Sequence, residues 1–164
     1  MKNNNTLTWK RGIFQRAFQL FNNGEQVGSL KPSLMNQSAS GQINEVEYRF
    51  CTRETRNRCD VIRIDNQEVV AQIKFGTWLP KATIEYKGER YQWSLSNMWE
   101  TRWKISSADG VTHRFAGWSC KGSIDHNLPT DLLAMTGLFI SNYYWQMSAI
   151  YVAAFFPIWF AALS

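Results

Sequence analysis

From Leu132 to Ser164 the chain runs for 33 residues without one charged side chain, and it finishes on SAIYVAAFFPIWFAALS, Ser148 to Ser164. An apolar run of that length has two physical homes, the middle of a fold or a lipid bilayer. Leu132, Leu133, Met135, Leu138, Phe139, Ile140, Tyr143 and Trp145 point in every direction around a helix. The exceptions, Thr136, Gly137, Ser141, Asn142, Gln146 and Ser148, are uncharged and scattered, so the helix has no wet face. Just upstream, Asn127 or Thr130 offers an N-cap, Pro129 suits a first turn, and Asp131 favours the positive helix end.

All charged side chains therefore lie on residues 1–131, where 18 Lys and Arg against 13 Asp and Glu give a net +5. The N-terminus MKNNNTLTWKRGIFQRAFQL has no uninterrupted apolar stretch and no small-residue cleavage site, so no secretory signal is expected. Cys51, Cys59 and Cys120 are accordingly expected as reduced thiols, with a Cys51–Cys59 disulfide across a strand pair as the minor alternative.

Residues 7–121 read as short strands punctuated by turns at Asn23-Gly24, Asn66-Gln67, Gly88 and Asp109-Gly110. The last three turns recur at 66, 88 and 110, a step of 22 residues, and the first lies 42 before 66, close to two steps. That spacing is the rhythm of an up-and-down antiparallel meander with strands of about seven or eight residues. Alternation agrees. Val46, Tyr48 and Phe50 share one face; so do Val69, Ala71, Ile73 and Phe75, and again Tyr91, Trp93 and Leu95. About ten to twelve strands are expected. By the same parity Trp93, Trp99, Trp103 and Trp118 read as core or wall residues.

The stretches LFNNGEQVGSL, IDNQEVVAQIKF, KATIEYKGERYQWSL and WETRWKISSADGVTHRF, followed by DLLAMTGLFISNYYW, fall in an order that resembles the tubby C-terminal-like superfamily. That superfamily includes tubby proteins, phospholipid scramblases and the plant LURP-one-related proteins. The resemblance covers about residues 7–145 as an order of elements, with no stretch that carries over a ligand-binding residue. It implies a mainly β fold, a barrel of about 10–12 strands closed around a C-terminal hydrophobic helix, in a superfamily often met at membranes. Fold alone does not fix function.

A barrel of such strands is roughly 25 Å tall and needs about 17 helical residues to thread it. The expected organisation is a barrel with central helix over 1–146, the helix at about 130–146, and a hydrophobic extension over 147–164. The extension sits at the lower edge of a bilayer span of about 17–25 residues. As a membrane tail, its Tyr151, Phe155, Phe156, Trp159 and Phe160 would meet lipid, with the basic body on the cytoplasmic side. The alternatives are a tail that folds back over a barrel mouth, in a soluble cytoplasmic scaffold, or one that buries itself against a protein partner or a second copy.

YRFCTRETRNRCDVIR gathers Arg49, Arg53, Arg56, Arg58 and Arg63 near one inter-strand loop, a candidate contact for phosphate oxygens of anionic headgroups. The plainer reading is a solvated hairpin whose charges guard a sheet edge. Metal-ligand spacing is missing: no C-x-x-C pair exists, and Cys120 and His126 stand alone. His113 and His126 read as loop or strand-start residues without a nucleophile signature, and Glu85, Glu89 and Glu100 as outward-looking. Gly137 and Ser141 form a small-xxx-small pair that allows close approach of another backbone. A non-enzymatic membrane-associated module without cofactor or nucleic-acid partner is the leading expectation; a soluble scaffold and a scramblase-like lipid transporter follow.

Overall fold

The computed structural model describes residues 5–12, 16–33, 36–53, 57–97, 99, 101–118, 120–127 and 131–162, without the side chains of 5, 131 and 151–162. Twelve strands follow one another: β1 (Asn5–Arg11), β2 (Phe18–Asn22), β3 (Glu25–Pro32), β4 (Ala39–Ile43), β5 (Val46–Arg53), β6 (Arg58–Arg63), β7 (Val69–Phe75), β8 (Lys81–Tyr86), β9 (Glu89–Leu95), β10 (Arg102–Ser107), β11 (Gly110–Trp118) and β12 (Lys121–His126). One helix, α1 (Asp131–Ala162), ends the chain. Each strand pairs antiparallel with its sequence neighbours, and β1 pairs with β12 through Leu7↔Ile124 and Trp9↔Gly122 to close the barrel.

The β2–β3, β4–β5, β6–β7, β8–β9 and β10–β11 turns all lie at one end, which we call the turn end. Asn23 and Gly24, Gln67, and Lys87 and Gly88 take the positive φ that such turns require. A further turn, Asn44-Glu45, fills the gap in the 22-residue rhythm, with φ of 48° and 66°. It escapes sequence reading because glutamate is a poor left-handed residue.

Inward-facing side chains line the barrel and pack on α1: Trp9, Phe18, Leu30, Phe50, Ile84, Trp93, Trp103 and Phe115 are fully buried. The ring of Phe50 stands 4.5 Å from Phe139, and Phe75 stacks on Tyr143 at 3.8 Å. Gly137 faces Phe115 so closely that a Cβ there would lie 2.4 Å from the ring tip. The small residue thus admits a wall side chain rather than a second helix, and Ser141 Oγ turns back to donate to the Gly137 carbonyl at 2.9 Å.

Helix α1 begins at Asp131, one turn past Asn127, whose amide instead donates to the Val111 carbonyl at 3.0 Å. Thr130, the other N-cap expectation, lies outside the described residues. The helix does not end near 146 but runs unbroken to Ala162, about 48 Å at ~1.5 Å per residue. Its residues 132–143 are buried, 144–147 half-buried and 148–150 exposed. Ladder register also removes the Cys51–Cys59 alternative: Cys59 faces Thr52 and Cys51 faces Asp60, and neither is in a disulfide.

Gly137→Val is expected to lower unfolding free energy by at least about 1–3 kcal/mol through overpacking against Phe115. An unchanged urea midpoint would contradict that packing. Conversely, Glu45→Gly relieves a left-handed backbone that costs an L-residue about 1–2 kcal/mol. Glycine entropy returns about half of this, so thermal denaturation should show a modest net gain.

Candidate functional site

Up-and-down order sorts the chain into two ends. Opposite the turn end lie the other six strand connections, β1–β2, β3–β4, β5–β6, β7–β8, β9–β10 and β11–β12, and between them α1 leaves the barrel. Two of these connections hold the helix at this mouth. Tyr144 Oη donates to the Lys81 carbonyl at 2.5 Å and accepts from the Gly76 amide at 3.1 Å, which pins the β7–β8 loop on α1. Gln146 Nε2 donates to the Ser33 carbonyl at 3.3 Å, and Gln37 Nε2 reaches Met147 Sδ at 2.9 Å, from the β3–β4 side.

Beside the exit lies a cavity of about 340 Å³, walled by Trp78 and Leu79 of the β7–β8 loop, Trp93 and Trp103 of the barrel wall, and Tyr144 and Trp145 of α1. Aromatic faces dominate it, so it favours an apolar or flat guest over a charged one. Tyr144 is pushed up to about 12, first by burial.

Charge is divided along the barrel axis among the described residues. The mouth end carries Lys10, Arg11, Arg16, Lys31, Arg53, Arg58, Lys81, Arg102 and Lys121, all exposed but Arg11, which is half-buried. The turn end carries Glu25, Glu45, Asp65, Glu68, Glu89 and Asp109, with Arg63, Lys87 and Arg90 as the opposing charges. Arg11 sits 4.9 Å over the Phe18 ring, and its pKa is lowered, chiefly by burial.

Of the five arginines expected to cluster, the structure keeps Arg53 and Arg58 together, directly opposite each other on β5 and β6. Arg53 is also tied to Asp60 at 2.6 Å, a carboxylate that takes a second bond from Gln72 Nε2 at 3.0 Å. Arg49 projects from the middle of β5, and Arg63 lies at the turn end near Asp65, at 3.9 Å, with its pKa raised first by a hydrogen bond to Tyr48. Arg56 lies outside the described residues. The cluster is therefore corrected to a mouth-end pair within a wider basic ring. Arg58 and Arg63 are the first and last residues of the six-residue strand β6, which carries them to opposite ends.

Two other expectations change. Trp99 and Trp118 are not core: they are 83% and 60% exposed, because Trp99 stands in the β9–β10 loop and Trp118 ends β11 facing outward. His113 and His126 stand neither in loops nor at strand starts but form a buried stacked pair, 5.6 Å between ring centroids, on facing positions of β11 and β12. Among the described residues no three His, Cys, Asp or Glu side chains group as a metal site. Among them, too, no helix is long and apolar enough to cross a membrane. Tyr151, Phe155, Phe156, Trp159 and Phe160 belong to α1, but their side chains lie outside the description.

No family model matches the chain, and no curated protein matches it. A solved structure of a protein from Arabidopsis thaliana is similar in fold, with a TM-score of 0.56 at 12% identity, covering 84% of this chain and 90% of that one. The likeness extends to the fold alone.

Cys59 at the foot of the arginine loop offers a pH test. Burial is the first cause that pushes its thiol from 9.0 up to about 12. Above pH 9 the unfolded chain therefore gives up a proton that the folded one keeps, so stability falls as pH rises from about 9 to about 12. Tyr144 adds to the same loss from pH 10 upward. Urea midpoints measured across this range should decline, and Cys59→Ala should flatten the slope between pH 9 and 10.

Proposed function

We propose that this chain is a non-enzymatic membrane-associated module of tubby-like architecture, resting on anionic lipid. The barrel carries basic side chains to the bilayer, and the end of α1 enters it. One observation carries the reading: the uncharged part of the helix leaves the barrel through the same end that gathers the exposed Lys and Arg side chains. A cation near an anionic leaflet gains about 1 kcal/mol, so several on one face give a preference for such membranes without any single strong site. Arg53 and Arg58 stand in that face.

Residues 148–164 continue the sequence without charge. At about 1.5 Å per residue the helical part, 148–162, reaches roughly 22 Å, enough to enter a bilayer deeply, and insertion rather than crossing is all the reading needs. Pairing of this segment with a second copy is the competing use.

Flotation of the full chain with vesicles tests the reading. The protein should float with phosphatidylcholine vesicles and more strongly when phosphatidylserine is added. Phe156→Glu places a charge in the tail at about 2.5–3.5 kcal/mol and should reduce both. Arg53→Glu with Arg58→Glu should weaken only the preference for phosphatidylserine. Full-length protein that remains unbound to both vesicles contradicts the proposal. A lipid-free dimer lost on Phe156→Glu would assign the tail to self-association instead.

A further inference from the structure

Six large apolar side chains are exposed among the described residues, and five of them lie at or beyond the mouth: Trp78, Leu79, Trp99, Trp118 and, on the emerging helix, Ile150. Only Val69 lies at the turn end. Three tryptophans occupy the same place on three successive mouth hairpins. Each is followed three residues later by a cation: Trp78-Leu-Pro-Lys81, Trp99-Glu-Thr-Arg102 and Trp118-Ser-Cys-Lys121. In every case the cation is the first residue of the next strand, β8, β10 or β12, and is exposed.

From this repeat we infer that the three W-x-x-K/R hairpins form a docking rim for the interfacial zone of an anionic phospholipid bilayer, a second membrane contact beside the tail. The inference rests on the membrane reading above. An indole at the headgroup level has an apolar body for the acyl boundary and an N–H for the wet side. A Lys or Arg beside it keeps its stem against apolar surface and its head at the phosphates.

Hydrogen bonds at the base hold each hairpin in place, so the exposure is built into the fold. The β7–β8 loop is tied by the Gly76 amide to the Lys81 carbonyl at 2.7 Å and by Tyr144. In the β9–β10 loop the Asn97 side chain accepts from the Thr101 and Arg102 amides at 3.1 and 2.9 Å. At β11–β12 the Arg11 amide donates to the Cys120 carbonyl at 2.6 Å. Ordering these indoles on binding costs less where the hairpin bases are already held by hydrogen bonds. The charge division supports a bilayer as the occupant, since the acidic turn end points away from an anionic surface when the rim is down.

Trp159 of the tail would report insertion by itself, so the test uses full-length Trp159→Phe protein on phosphatidylcholine–phosphatidylserine vesicles with brominated acyl chains. Flotation is read in parallel. The rim predicts strong quenching that is mostly lost when Trp78, Trp99 and Trp118 are also replaced by Phe. Val69→Trp added to that last variant should remain unquenched. Protein that floats without rim quenching overturns the docking rim and leaves the tail reading intact, whereas protein that does not float defeats both.

Discussion

A closed sheet of twelve strands encloses more space than inward side chains alone can fill, since about eight strands is the width that side chains pack unaided. Helix α1 is what fills the difference, and the rest of the fold depends on that insertion. Surrounded on all sides, the helix needs apolar residues on every face, which is why it shows no amphipathic stripe. Size must match as well as polarity. Gly137 makes room for Phe115, and Gly41 of the wall lies so near Met135 that a Cβ there would come within 2.7 Å of the sulfur. The same absence of charge continues past Met147, where the barrel no longer covers the helix.

Much of this was legible because turn chemistry and strand parity are local. Asn-Gly and Asp-Gly turns marked the hairpins, and alternation around Tyr48, Ile73 and Trp93 marked the inner face. What escaped was set by position along the barrel axis. Parity assigns Trp93 and Trp103 correctly but misplaces Trp99 and Trp118, because a residue in or beside a loop has no partner sheet to bury it. The arginine segment failed for a related reason. Nearness in sequence places Arg58 and Arg63 together, yet one strand's length moves them to opposite ends. His113 and His126 lie thirteen residues apart and meet only through the β11–β12 register.

The W-x-x-K/R repeat was in the sequence throughout, at a spacing close to the turn rhythm. Its meaning appears only when the meander closes and sets alternate hairpins at one mouth. Three features of different origin then coincide at that end: exposed indoles, a basic ring and an uncharged helix emerging between pinned loops. Acidic turns collect at the other end, so the barrel has a defined direction. A fold of this kind is similar to the Arabidopsis thaliana structure in outline.

Hydrogen–deuterium exchange of the full chain, with and without phosphatidylserine-containing vesicles, tests the central claim most directly. Amides of residues 132–147 should be protected in both conditions, as the core of the barrel. Amides of 148–162, and of the 76–80 and 96–101 loops, should gain protection only when vesicles are present. Protection of 148–162 in the absence of lipid, unchanged by vesicles, would contradict the account and make the whole helix part of a lipid-independent fold or assembly.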